Sequence, residues 1–306
     1  SSEIDQATCM PPYLWHTRLC LAALGLMLSL PFLNPHHFNP IPTFYQEWTA
    51  AACALLASTL LLRAKTFEQL EIPGIALLPL GIATVILIQF AAGRVTFPTQ
   101  ALIFLLYLLW ATLLLILGRA LRRALALDLL VTAFATAILA GALLSAILLA
   151  LQLVDPRLGL GWVFPFVKGS GNLAQANHLA NYLWLGVASA FYLHSQRKFP
   201  SLVFWPALLA LISASSLSGS RSVFLYAGGF TLLALWAAWH FRQPVLRQMA
   251  RRGLILLPLT LTIQAVFSYF DLGSLLQTSV SGDRFFQLVS GSSVRIQLWH
   301  TGLAVF

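Results

Sequence analysis

Apolar residues run through this chain in long blocks, separated by short polar or basic clusters. Nine blocks stand out, at 14–34, 47–62, 73–92, 101–117, 124–154, 178–195, 202–217, 222–240 and 253–270. Blocks of about 17 to 25 residues are long enough to cross a hydrocarbon layer of roughly 30 Å. The pattern therefore predicts an all-α, polytopic transmembrane protein with about nine spans. Two blocks depart from the ideal length. The fifth would be roughly 46 Å long at 1.5 Å per residue, so it must tilt steeply or project, carrying the next loop with it. The seventh reaches only roughly 24 Å, which leaves a turn at Ser218–Arg221 slightly below the outer surface. No internal repeat and no low-complexity tract is evident.

Composition sharpens this picture. Of 306 residues, 59% are hydrophobic and 9% charged, and the mean hydropathy is +0.82, which excludes a soluble globular domain and a disordered chain. The formal charge of +9 would suggest nucleic acid in a soluble protein. Here the basic residues sit between apolar blocks, the arrangement that fixes membrane orientation, and no nucleic-acid partner is expected. With the N-terminus cytoplasmic, the inner side carries Arg18, Arg63, Lys65, Arg119, Arg122, Arg123, Arg197, Lys198, Arg242, Arg247, Arg251 and Arg252. The outer side carries only Arg94, Arg157, Lys168, Arg221, Arg284 and Arg295. The expectation is a multi-pass protein of a bacterial inner membrane whose outer polar segments face the periplasm. Cys9, Cys20 and Cys53 have no metal-binding spacing. The first block is too long for a cleavable signal and lacks a small-residue cleavage site, so it is expected to stay as an anchor. Residues 1–270 read as one transmembrane helical domain and 271–306 as the start of a periplasmic segment, with truncation expected beyond Phe306.

Two polar islands interrupt the apolar pattern on the outer side. The larger is Lys168 to Tyr182, KGSGNLAQANHLANY. Asn172 followed three residues later by Gln175 reads as a helix cap with a reciprocal side chain, placing a helix start near Leu173. Lys168 and the glycines after it can turn backbone amides towards an anion at that helix start. On the helix, Gln175, His178 and Tyr182 form one polar stripe, and Asn177 and Asn181 an adjacent one. The smaller island is Ser218-Gly-Ser-Arg221, flanked by Ser215, Ser216 and Ser222. Two readings stay open for both islands. They satisfy helix ends at the interface, or they line a ligand site, for which an arginine at membrane depth facing a cavity is the stronger sign. A third outer patch, His36 to Trp48, contains two histidines and Glu47, but adjacent histidines in a proline-rich loop lack helical metal-site spacing, and no metal or other cofactor is expected. Its Phe44, Tyr45 and Trp48, like Trp162, Phe164 and Phe166 further on, read as interface aromatics. In the last segment, Arg295 and Trp299 lie four apart, which places a cation beside an aromatic platform on a helix face.

GNLAQANHLANYL at 171–183, SGSRS at 218–222 and RIQLW at 295–299 together resemble the O-antigen ligase and O-antigen polymerase superfamily. Within it, the QxNHLAxYL core at 175–183 and NPHHFNPIPTFYQEW at 34–48 are most similar to the bacterial pilin-type protein O-oligosaccharyltransferases. The resemblance implies metal-independent transfer of a preassembled glycan from undecaprenyl diphosphate to a periplasmic acceptor. It makes Arg221, supported by Arg295, the holder of the diphosphate. Lys168, Asn172, Gln175, Asn177 and His178 would line the same cavity. The family places its acceptor-activating histidine in a large periplasmic loop that only begins here. His300 lies directly after the RxxxW pattern and does not take that role by position, so His178 is the catalytic candidate alongside Arg221. The partners implied are the lipid-linked donor, membrane lipids, and either a pilin-like protein or lipid A core as acceptor. A growing glycan chain is a further acceptor. A lipid-glycan transporter is the alternative of a different class. It would call for ionisable residues deep within several spans, where only Asp128 is available, near Arg122 and Arg123.

Overall fold

A computed structural model describes residues 12–38, 42–63, 71–242, 244–278 and 280–282. Among the described residues the chain is helical throughout, with no strand. The helices in order are α1 Pro12–Met27, α2 Leu30–Leu33, α3 Phe44–Arg63, α4 Leu77–Ala91, α5 Pro98–Ala124, α6 Leu127–Val154, α7 Ala176–Ser195, α8 Ser201–Leu217, α9 Ser222–His240, α10 Pro244–Gly253, α11 Leu256–Tyr269 and α12 Leu272–Leu275. Among the described residues, six helical stretches, 15–33, 74–91, 98–124, 127–154, 222–240 and 247–269, are long and apolar enough to cross a membrane. That makes this a polytopic helical membrane protein, and the nine-span count remains an expectation.

Every apolar block contains a helix, and the differences lie at the breaks. The first block divides after Met27, because Pro31 offers no N–H to the Met27 carbonyl and its ring crowds that carbonyl. A second break falls at the start of the last block, where Pro258 does the same to the carbonyl of Leu254 and a separate helix ends at Gly253. The resulting α10 is short and carries Arg247, Arg251 and Arg252. The fourth block extends further than its apolar residues suggest. Helix α5 continues through Arg119, Arg122 and Arg123, where cations near a helix C-terminus are favoured by the dipole.

The chain divides into two compact units, residues 1–27 with 50–134, and 28–49 with 135–306. In the first, Cys20, Ala54, Ala57, Leu61, Leu117 and Leu121 form the packed centre. Beside it α4 and α5 expose Leu78, Val85, Ile88, Phe104 and Leu106, a surface suited to lipid. Glu71 bonds to Arg119 at 3.0 Å and pairs with Arg123, a carboxylate the sequence pattern did not single out.

The second unit is built on α7, of whose 20 residues ten are buried. Leu149 of α6, Leu183 and Trp184 of α7, Leu208 and Ile212 of α8, and Leu256 of α11 belong to its core. For such side chains the alternative environment is lipid, so close packing rather than transfer from water holds the helices together. Gly186 shows how close: a Cβ there would sit 2.5 Å from the Cβ of Ala142. Glycine on α7 facing alanine on α6 lets the two backbones approach.

Candidate functional site

The island at 168–182 separates into a buried clasp and an open rim. The clasp is organised by two amides that sequence spacing does not connect. Gln152, fully buried near the end of α6, donates from Nε2 to the Phe164 carbonyl at 2.6 Å and accepts the Gly171 amide at Oε1 at 3.0 Å. Asn172, also buried, accepts the Phe164 amide at 3.0 Å and donates from Nδ2 to the carbonyls of Leu33 and Trp162, both at 2.7 Å. His37 Nε2 lies 2.7 Å from the Asn172 carbonyl, so that nitrogen carries the proton and donates. The His37 ring meets the edge of Phe164 at 5.0 Å. The clasp thus holds the loop after α6, the start of α7 and the segment after α2 together.

This corrects the expected role of Asn172. It does not cap the helix: a 3₁₀ turn at Gly171–Leu173 ends in a left-handed Ala174, and α7 begins only at Ala176, with Gln175 at the cap position making no side-chain bond. Nor is the Asn172 side chain open to a ligand, because its amide already serves three backbone groups. His37 is committed in the same way, while His36 stacks on Phe38. Tyr182 leaves the polar stripe too. It is buried, donates to the Leu28 carbonyl at 2.8 Å and stacks on Phe32 at 4.2 Å.

The rim is where three loops meet the start of α7. Gly169 lies so close to the turn after α8 that a Cβ would stand 2.6 Å from Thr278 Oγ1 and 3.4 Å from the carbonyls of Leu217 and Ser218. Its φ of +83° is also one that glycine adopts freely. Next to it, Lys168 donates to Gln277 Oε1 at 3.1 Å. From the other side, the buried Ser220 donates to Asn177 Oδ1 at 2.7 Å and shares a 2.6 Å bond with Ser222. One turn further along α7, Asn181 accepts from Tyr226 of α9. Lys168, Asn177 and the Ser218–Arg221 turn, far apart in sequence, are therefore brought to one end of one unit.

Arg221 stands between the two pinned serines. It is half-buried, and its guanidinium makes no hydrogen bond or ion pair among the described residues. The turn that carries it is fixed by Ser218, which donates to the Ser215 carbonyl at 2.6 Å, and by the left-handed Gly219. These contacts change the meaning of the serine cluster. Ser215 and Ser218 bond to carbonyls of their own helix, so only Ser220 and Ser222 couple to the rim.

Gln175, Asn177 and His178 are exposed at the start of α7, and the side chains of Gln175 and His178 have no hydrogen-bond partner among the described residues. Successive helical residues point about 100° apart. With Asn177 turned to Ser220, His178 faces a different direction from the Arg221 turn. Arg295 lies outside the described residues.

Sequence reasoning missed the return of the chain after α11. Ser281 donates to the Ser216 carbonyl at 2.9 Å, and the Gly282 amide donates to Gln264 Oε1 at 3.0 Å. This stretch docks between the ends of α8 and α11, placing Gln277 and Thr278 on the rim. The available signal was Gln264, a lone amide in an apolar helix, and Gln152 gave the same signal for the clasp.

A half-buried guanidinium that no described residue pairs, at the same end of the unit as the exposed Lys168 and Asn177, is suited to an oxyanion with several acceptor atoms, such as a phosphate, which an arginine fork meets with two parallel bonds. No family model matches the chain, and no solved structure does. The chain is similar to the general O-oligosaccharyltransferase of Acinetobacter baylyi (strain ATCC 33305 / BD413 / ADP1), with 26% identity over 226 residues, 73% of this chain and 39% of that protein. The chain thus spans less than half the length of the curated relative it matches.

Proposed function

We propose that this chain transfers a preassembled oligosaccharide from undecaprenyl diphosphate to a serine or threonine of a periplasmic protein, without a metal. The observation that carries the reading is Arg221, whose guanidinium no described residue pairs, on a turn whose neighbouring Ser220 is bonded to Asn177 and Ser222. It would grip the diphosphate of the donor, with Lys168, Asn177 and Gln175 contributing donors around the glycan and Arg295 in support. The anomeric carbon exchanges its bond to the diphosphate oxygen for one to the acceptor oxygen. Charge grows on the departing diphosphate, where a preplaced guanidinium is most effective. The acceptor proton leaves to a base; His178, the candidate from sequence, faces away from the Arg221 turn, so the base for this reaction is sought beyond the described residues.

The test is transfer in a bacterial host supplying the lipid-linked glycan, with a pilin-like protein and lipid A core both present. Modification of the protein, lost in Arg221→Ala, is the expected result. Modification of lipid A core, or lengthening of the glycan itself, would move the chain to ligase or polymerase activity. Undiminished transfer by Arg221→Ala would remove that residue from the site. Movement of the lipid-linked glycan across the bilayer without any transfer would replace the enzyme reading with the transporter. Orientation is tested separately by fusions: a reporter after Pro200 should be cytoplasmic and one near Ser281 periplasmic.

A further inference from the structure

At the opposite end of α7 from the rim lies a cleft of about 400 Å³, lined by His194, Arg197, Ser201, Gln248 and Arg252, among others. Its walls come from the end of α7, the start of α8 and the basic helix α10. His194 Nδ1 is 2.7 Å from the Phe199 carbonyl and so carries the proton. Nε2 is then an acceptor, and it receives an N–H of Arg252. The imidazole is held further by stacking on Phe204 at 4.3 Å. Arg252 is thereby anchored through one nitrogen, while its remaining N–H groups bond to no described residue and border a cleft with no carboxylate among its described lining residues. The described carboxylates of this unit, Glu47, Asp155 and Asp271, lie at the start of α3 and after α6 and α11.

Two further features add positive potential. Helix α8 opens at Ser201 with Pro200 at its cap position and no side-chain cap. The amides of Val203 and Phe204 both go to the Pro200 carbonyl, leaving those of Ser201 and Leu202 outside the helical ladder, where helix N-termini attract anions. Helix α7 ends in a Schellman arrangement, with Lys198 N–H bonded to the Leu193 carbonyl at 2.9 Å and Arg197 N–H to the His194 carbonyl at 3.1 Å. Arg197 itself, at the position of this motif where glycine is usual, has φ +57°. An arginine there carries backbone strain that glycine would not, and strain of this kind is tolerated where the side chain has a task.

We propose that this cleft binds a phosphate group, supplied by the head group of an anionic phospholipid or by a soluble phosphate. Arg197 and Arg252 would clasp its oxygens, and the start of α8 would add backbone amides. Basic pockets between membrane helices hold phosphorylated head groups through the same chemistry. The site lies apart from the rim and does not depend on the transfer reaction proposed above.

The test uses the purified full chain in bilayers of equal phosphatidylglycerol and phosphatidylcholine, with retained lipid identified by native mass spectrometry. In parallel, thermal unfolding is followed in neutral detergent with added inorganic phosphate. Wild type should retain phosphatidylglycerol over phosphatidylcholine, or be stabilised by phosphate alone, and the arm that responds identifies the source. Arg197→Gly relieves the strained backbone, so its ligand-free unfolding temperature should not fall below wild type, yet its binding should weaken about tenfold. Arg252→Gln should weaken binding similarly and Arg252→Lys less. Arg221→Ala, at the rim, should bind as wild type does. Equal retention of both lipids with no response to phosphate would overturn the proposal. So would wild-type binding by Arg197→Gly and Arg252→Gln, or loss of binding in Arg221→Ala.

Discussion

The clasp around Asn172 and the rim around Arg221 lie in one unit, yet they use polar side chains in opposite ways. In the clasp, Gln152, Asn172 and His37 bond to backbone groups, and the two amides are buried. At the rim, Arg221, Gln175 and His178 retain bonding capacity that no described residue takes up. A buried amide without partners is costly, so burial selects residues whose bonds are all made inside the fold. A half-exposed guanidinium bears no such constraint and keeps its donors for a ligand. The difference teaches that polarity within a membrane helix bundle locates an island, while the state of its hydrogen bonds separates scaffold from site.

The largest expected effect is at the rim. Arg221→Ala should lower transfer about 100- to 1,000-fold, the cost of removing one preplaced donor from developing charge, with abundance unchanged. Arg221→Lys should recover only part, since an ammonium lacks the fork. A fall in abundance matching the fall in transfer would erase the distinction between the two regions.

Next comes the clasp. Asn172→Leu strands the Phe164 amide and the carbonyls of Leu33 and Trp162, a loss of about 3–9 kcal/mol at roughly 1–3 kcal/mol per unsatisfied group. It should appear in thermal unfolding in detergent, with transfer per folded molecule largely kept. Normal stability with abolished transfer would move Asn172 from scaffold to site.

Ser220→Ala sits at the junction, deleting the bond to Asn177 that steadies the Arg221 turn. About 1 kcal/mol is at stake, and it should be seen as a modest fall in transfer rate with little change in unfolding temperature. A loss as large as that of Arg221→Ala would make Ser220 a contact to the substrate.

The smallest effect lies in the other unit and serves as a reference for surface electrostatics. The hydrogen bond from Arg119, followed by that from Arg123, holds the Glu71 carboxyl below its ordinary range. A depressed carboxylate contributes stability above its unfolded pKa and loses it as pH falls through the folded value. Glu71→Gln should therefore lower the unfolding temperature slightly at neutral pH, and the gap should close in acid and shrink in high salt. A gap that persists in acid would assign the effect to packing.

The order and approximate limits of the helices were legible because apolar blocks of membrane length leave little choice of structure. The two islands were legible because polar residues are conspicuous in a chain with 9% charge. Proline limits on helices are local as well, so the breaks before Pro31 and Pro258 belong to what the sequence specifies, although hydropathy alone passes over them. The sequence also placed Lys168, Asn177 and Arg221 among the candidates. It had no means of sorting them from Asn172 and Tyr182, because spacing along one helix does not reveal which groups another segment will meet. That was decided by tertiary contacts: the segment after α2 reaching Asn172, the turn after α8 reaching Asn177, and the chain after α11 returning to Gln264 and Ser216. Local pattern fixes where a polar group sits on its own helix. Only the partners that long-range packing brings to it determine whether its hydrogen bonds are used in holding the fold or left for a ligand.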